Sequence, residues 1–265
     1  ILEKVRGGTG LVCINPNNYA DAMWAALPFS ASAGGSRPEY RWTATENHYL
    51  TRGVPLDRMP PAGTSPYKLA EGAQLLAKAD RWPLLAVSEL GEGRIVCLAY
   101  CTSWQGPGSY MNGLTPWIQS APTKFAYWEY YFSLLAKCMT WAAKQEPAVQ
   151  ISSLRPEREA YSARGGEQPK LLMSLTDEGV TGEVVAHVSI ADAYGHSEGQ
   201  FDRALAAVPG QAQMDILLPQ LPGGMHLVDV MLEDSAGKRL DWAGVALDVA
   251  SPVTVAQMRL VDEIY

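Results

Sequence analysis

Apolar and polar positions along the chain fall into two texts that meet near residue 147. In the first, Arg81 to Trp104 reads as the organising element. Pro83 opens the run Leu84, Leu85, Ala86, Val87, of a length suited to a strand. Gly91-Glu92-Gly93-Arg94 supplies a turn whose glycines can take positive φ. The chain resumes as Ile95-Val96-Cys97-Leu98-Ala99-Tyr100, so the pair predicts a hairpin. The second run lacks polar alternation, which predicts burial on both faces, as in the middle of a layered sheet. Upstream, ILEKVRGGTGLVCI predicts the end of a helix, a Gly7-Gly8 stop and a buried strand over Gly10–Ile14. Residues 31 to 67 read as a long irregular excursion with a short strand at Tyr40–Thr43. A further short strand opens Lys68 to Ala79. After Trp104, QGPGSYMNGLTPWIQSAPT reads as a loop over one end of the sheet. A helix is predicted from about Lys124 to Lys144, with Phe125, Trp128, Phe132, Leu135, Met139 and Ala142 as its apolar stripe. Tyr131, Leu134, Cys138 and Trp141 widen the stripe, and Glu129 and Lys137 are placed toward the more polar side.

Beyond residue 147 the periodicity shortens. Strands are predicted at Val149–Leu154, Lys170–Thr176, Glu183–Ala191, Ala212–Leu218, Met225–Glu233 and Trp242–Val249, with turns at Asp192-Ala-Tyr-Gly and Asp234-Ser-Ala-Gly. Val184, Ala186, Val188 and Ile190 alternate with Val185, His187 and Ser189, as in a half-buried antiparallel strand. Short strands at such intervals predict a β-sandwich. Seven of the eight tryptophans and three of the four phenylalanines precede Pro147. The expected domains are therefore 1–147 and 148–265.

Composition narrows the function classes. A net charge of -7 over 265 residues argues against nucleic acid as a main partner. No run approaches the ~20 apolar residues of a membrane span. The chain opens on Ile1, and a helix feeding a strand is half of a βαβ unit, so the first domain is expected to begin in its middle. Its preceding strand is expected from residues upstream in the same polypeptide or from a neighbouring subunit. Compartment is left open, with an extracytoplasmic setting favoured. Cys13, Cys97, Cys101 and Cys138 lack the paired spacing of a zinc site and read as buried free thiols. No cofactor and no metal are called.

VRGGTGLVCI, HYLTRGVP, PLLAVSELGEGRIVCLAY and YWEYYFSLLAKCMTWAA, in that order, resemble the class I glutamine amidotransferase-like superfamily. The likeness is to its non-catalytic members, including the trimerisation domain of some bacterial β-galactosidases. The resemblance implies a layered, flavodoxin-like α/β domain over 1–147. ADAYGH, LPQLPGGMHLVDVMLEDSAGKRLD and ALDV resemble the immunoglobulin-like or fibronectin-like β-sandwiches appended to carbohydrate-active proteins. Active amidotransferases carry a Cys on a sharp turn after a buried strand, and a His and a Glu after a later one. Laid on this chain, those places fall at Asn15, Cys101 and Ser103, so the resemblance implies that the triad is lost and that no catalytic residue remains.

The candidate ligand-binding residues are Asn15, His48, Trp104 and Trp117. His48 lies in a loop where backbone or water bonding is the plainer reading. Trp104 and Trp117 flank the glycine-rich loop and could stack on a sugar, against a plainer role capping the core. Alternation is taken to place His187 and His226 on solvent-facing sides, with His196 also in the sandwich. Asp177-Glu178 reads as a turn and Asp262-Glu263 as a solvated tail. The expected function is a non-catalytic interaction or scaffold part of a larger protein. The alternatives are a carbohydrate-binding or accessory part of a glycoside hydrolase, or a hydrolase with a divergent site.

Overall fold

The computed structural model describes residues 1–16, 20–30, 41–59, 67–99, 127–164, 166–177, 183–206 and 212–251. The expectations placed on Cys101, Ser103, Trp104, Trp117, Phe125, Glu178, Asp262 and Glu263 fall outside these residues. The chain divides into two compact units, Ile1–Glu146 and Pro147–Tyr265.

In the first unit, helix α1 (Leu2–Arg6) precedes strand β1 (Leu11–Ile14), helix α2 (Asp21–Trp24), and strands β2 (Phe29–Ser30) and β3 (Trp42–Ala44). Strands β4 (Lys68–Leu69), β5 (Gln74–Ala79), β6 (Trp82–Leu90) and β7 (Gly93–Leu98) follow, and then helix α3 (Tyr127–Ala142). The main sheet runs β1-β7-β6-β5-β3, and β2 pairs with β4 apart from it. Only β1 runs parallel to its neighbour β7; the other pairs of this sheet are antiparallel. The expected hairpin is β6–β7, and its two glycines do different work. Gly91 supplies the positive φ of 63° that the turn needs. Gly93 lets the backbone of α1 approach, because a Cβ there would overlap the carbonyl of Val5.

The layered α/β, flavodoxin-like, amidotransferase-like first domain is overturned. Strands account for 52% of the structure and helices for 12%, and an all-β fold fits. The misleading signal was the unbroken apolar run of β7. Ile95, Val96, Cys97, Leu98 and Ala99 are indeed all buried. Ile95, Cys97 and Ala99 pack with Val5, Cys13, Phe29 and Tyr67. Arg94, on the same face as Val96 and Leu98, reaches the Trp141 carbonyl of α3. Burial on two faces needs cover on both sides; it does not need parallel neighbours, and β7 is antiparallel to β6.

Helix α3 also sits at a different rotation from the expected stripe. Tyr131, Leu134, Cys138 and Trp141 are buried, along with Leu135 and Ala142, whereas Phe132 is 47% and Met139 58% exposed. Glu129 is exposed as expected, but Lys137 is fully buried, with Nζ 4.7 Å from the centre of the Tyr49 ring. Its four-carbon stem packs as an apolar chain while the ammonium lies over an aromatic face. Among the described residues no helix is long and apolar enough to cross a membrane.

The second unit is a two-sheet sandwich of β8 (Val149–Pro156), β9 (Ala160–Ser162), β10 (Lys170–Asp177), β11 (Glu183–Asp192), β12 (Ser197–Ala206), β13 (Ala212–Leu217), β14 (Gly224–Asp234) and β15 (Arg239–Ala250). One sheet has the order β13-β10-β8 and the other β12-β11-β14-β15-β9. Ile151, Leu171, Met173 and Ile216 of the first pack with Val184, Val188, Val228, Val230 and Leu247 of the second in one core. Buried Asp241 ties the sheets by accepting a hydrogen bond from the Ile151 N–H at 2.8 Å. All six expected strands form; β9 and β12 are additional.

Two hairpins of the larger sheet close on the same chemistry. In β11–β12 the Oδ1 of Asp192 accepts from the N–H groups of Tyr194 and His196, at 2.8 and 2.9 Å. In β14–β15 the Oδ1 of Asp234 accepts from those of Ala236 and Lys238, both at 2.9 Å. Gly195 and Gly237 take the positive φ that each turn requires.

Candidate functional site

Asn15 follows β1 with a φ of 48°, and its N–H donates to the Leu98 carbonyl at 2.8 Å. Asn is among the residues that tolerate this left-handed conformation, so a sharp turn does follow β1, although only Cys13 of that strand is fully buried. His48 belongs to a different neighbourhood. Its backbone N–H donates to Thr51 Oγ1 at 3.2 Å, and that hydroxyl donates to the Glu46 carbonyl at 2.8 Å. The Leu50 N–H donates to His48 Nδ1 at 3.2 Å, which leaves the ring proton on Nε2. The ring meets the Trp141 indole edge-on with centroids 5.5 Å apart. Burial and, after it, the Arg52 cation lower the His48 pKa, against a smaller opposite pull from Glu46 and Glu146. The His48 ring is therefore tied to its own turn as an acceptor and packed on α3, while Asn15 is tied to β7. Arg94 lies over the same Trp141 ring at 4.7 Å and pairs with Glu146.

The described thiols of this unit are poorly placed for nucleophilic chemistry. Cys13, Cys97 and Cys138 are buried and form no disulfide. Burial pushes the Cys138 thiol up to about 12 and raises that of Cys97 well above its ordinary range. A thiol held protonated in this way is a weak nucleophile.

The second unit gathers chemistry that the sequence text left scattered. Each of its three histidines meets a carboxylate. His187 Nδ1 lies 2.8 Å from Asp202 Oδ1, His196 Nδ1 lies 2.9 Å from Asp192 Oδ2, and His226 Nδ1 contacts Glu198. His187 is half-exposed on the outer face of the five-stranded sheet, as alternation implies. His226 corrects the expectation. It is 2% exposed, because it shares strand parity with the core residues Val228, Val230 and Leu232. Its Nε2 donates to the Pro222 carbonyl at 2.8 Å, so the buried ring is held from both nitrogens.

The β11–β12 tip is the most prominent of these places. Tyr194 is 65% exposed, and its ring stacks on His196 with centroids 6.1 Å apart and an interplanar angle of 29°. Below the pair, Asp192 accepts from two backbone N–H groups and from His196 Nδ1. Burial nudges the Asp192 carboxyl upward, but the bonds from His196 and Tyr194 outweigh it and hold the pKa below the usual carboxylate range. The result is a pre-set aromatic surface on a short, clamped turn. Asp192-Ala-Tyr-Gly-His carried the signal in the sequence: a histidine four residues after the turn aspartate returns to it across the hairpin. Among the described residues no group of three or more His, Cys, Asp or Glu side chains is arranged to hold a metal.

No family model matches the chain and no curated protein matches it. Solved structures give partial likenesses. The C-terminal domain of wzt is 16% identical, with a TM-score of 0.34, over 40% of this chain and 75% of that one. The cytoplasmic protein STM3548 from Salmonella typhimurium is 19% identical, with a TM-score of 0.39, over 53% and 57%. The β-glucuronidase of Bacteroides uniformis is 10% identical, with a TM-score of 0.31, over 39% of this chain and 14% of the enzyme. These are likenesses of β-rich parts, and at such scores they assign no activity.

Proposed function

We propose that this chain is a non-catalytic, carbohydrate-associated module whose second unit meets a glycan at the β11–β12 tip. The observation that supports the reading is the exposed Tyr194 ring, braced by His196 and set on a turn that Asp192 closes. A flat aromatic ring with two side-chain torsions offers area for the C–H face of a sugar at small entropic cost, and its hydroxyl offers a polar edge. A turn already closed by its own hydrogen bonds loses little freedom on binding. The raised pKa of the buried Cys97 and Cys138 thiols, and a His48 ring engaged by its own turn, support this reading over a hydrolase.

The test is affinity electrophoresis against a panel of neutral bacterial polysaccharides, followed by calorimetry on the one that retards the protein most. Tyr194→Ala is expected to weaken binding about 5- to 30-fold, the range of an aromatic interface anchor, with an unchanged thermal midpoint. Retardation that survives Tyr194→Ala, or no retardation by any member, overturns the reading.

A further inference from the structure

Strands β1 and β7 run parallel, and their register sets Cys13 directly beside Cys97. Both side chains enter one core cluster, with Val5, Phe29 and Ile95, so both point to the same face of the sheet. Neighbouring strands lie about 4.8 Å apart, and a disulfide spans Cα atoms about 4.4–6.8 Å apart. Register and face together place the pair within bridging reach, and the two thiols already share a hydrogen bond. Cys138, on α3, lies outside that cluster. Strand β1 is four residues long and forms the edge of its sheet, with β7 as its neighbour. A short edge strand can shift toward its partner, and it is among the first elements to open.

We infer that Cys13 and Cys97 are a redox-active dithiol that closes to a cross-strand disulfide, stapling β1 to β7 when a small-molecule disulfide such as oxidised glutathione is the oxidant. Cys13 is 5% exposed and on the edge strand, so it meets the reagent first. Its sulfur attacks one reagent sulfur, a mixed disulfide forms, and one reagent thiol leaves. Cys97, fully buried beside it, then attacks the Cys13 sulfur and displaces the second reagent thiol. The protein gives up two protons and two electrons for one S–S bond, and the reagent takes both as it becomes two thiols. Burial and, after it, the bond with Cys13 keep the Cys97 thiol protonated, so exchange within the closed sheet is slow. It proceeds when β1 opens from the edge, or before the sheet has formed. Once made, the bond joins the first strand of the unit to its last and restricts the unfolded chain. A reducing compartment keeps both thiols, and an oxidising one closes them.

The experiment refolds the full chain from denaturant at pH 8, either in oxidised glutathione or in a reducing dithiol. Remaining thiols are alkylated, the chain is digested without reduction, and the peptides are read by mass spectrometry. The oxidised sample should yield a Cys13–Cys97 peptide pair, two hydrogens lighter than the two reduced peptides together. Its thermal midpoint, followed by tryptophan fluorescence, should rise by roughly 5–10 °C over the reduced sample. Cys13→Ala and Cys97→Ala should each remove both the cross-link and the rise, and Cys138→Ala should remove neither. If an alanine variant does not refold, the cross-link map of the wild-type chain decides alone. Pairs that join Cys101 or Cys138 in place of Cys13 and Cys97 overturn the inference. So do mixed disulfides with glutathione that never close, an unlinked wild-type chain, or a rise that Cys97→Ala leaves intact.

Discussion

Helix α3 presents two competing apolar stripes, and a pair of substitutions separates them. Leu134 is 1% exposed, and its truncation to alanine removes three buried carbon groups. At about 0.8 kcal/mol each this costs about 2.4 kcal/mol. A residual cavity of a few tens of Å3 adds about 1 kcal/mol, for a total of about 3–4 kcal/mol. Phe132, though larger, is nearly half exposed. Its truncation forfeits only part of its contacts and gains some helix propensity, so the net cost should be about 0–1 kcal/mol. Seven of eight tryptophans lie in the first unit, so tryptophan fluorescence in a urea titration reports mainly that unit. With an m-value of about 2 kcal/mol/M, Leu134→Ala should lower the midpoint by roughly 1.5–2 M and Phe132→Ala by less than roughly 0.5 M. Equal shifts, or a larger one for Phe132→Ala, would refute the rotation assigned to α3.

Gly93→Ala should destabilise the first unit by about 1–3 kcal/mol, because its Cβ would overlap the backbone of Val5 rather than a movable side chain; a thermal melt within error of wild type contradicts this. The pKa of His48 is lowered in the folded chain, so the unfolded chain binds the extra proton first. Its contribution is complete above the unfolded value of about 6.5 and is lost as pH falls toward the folded value. His48→Asn, which retains an acceptor for the Leu50 N–H, should flatten the stability profile below about pH 6.5; an unchanged acid slope counts against the burial argument. Cys138, pushed up to about 12, should react with a thiol reagent at pH 8 only when the chain is unfolded in denaturant. Fast labelling of Cys138 in the native protein, read by mass spectrometry, would contradict its placement.

What the sequence made legible follows from how each element buries its side chains. Strand β11 was readable because Val184, Ala186, Val188 and Ile190 all face one core. Strand β12 was not. It is a sheet-edge strand whose Gln200, Asp202 and Arg203 are exposed and whose Glu198 turns to the buried His226, so it never shows an apolar alternation. Strand β9 is too short to show any period. In the first unit, β7 displayed double-sided burial, which suited the layered α/β domain that the resemblance implied, and that fold class was wrong. On α3, Lys137 looked polar by type, although its buried stem and the Tyr49 face determine its place. Of the candidate residues, Asn15 and His48 were visible as a strand end and a loop histidine. Nothing local in the chain announced that Asp202 and His187 come together, because their meeting depends on the register of two strands.

The matched Asp-x-x-Gly turns bear on how the sandwich is reached in time. Each closes a hairpin from residues adjacent in sequence, β11 with β12 and β14 with β15. Such units form in about 1–10 μs, well before distant segments meet. The β11–β14 seam, by contrast, joins residues as far apart as Val184 and Asp234 and must bear the entropy of a long closure. The larger sheet should therefore assemble from two early hairpins that dock late along β11 and β14. Asp192→Ala and Asp234→Ala would slow refolding if the turns are already closed at the barrier. Val188→Ala and Val230→Ala, register partners across the seam, would speed unfolding instead if docking comes after it. Two small clasps of identical design thus leave the slow steps to the seams that no turn can pre-form, β11–β14 and the parallel β15–β9.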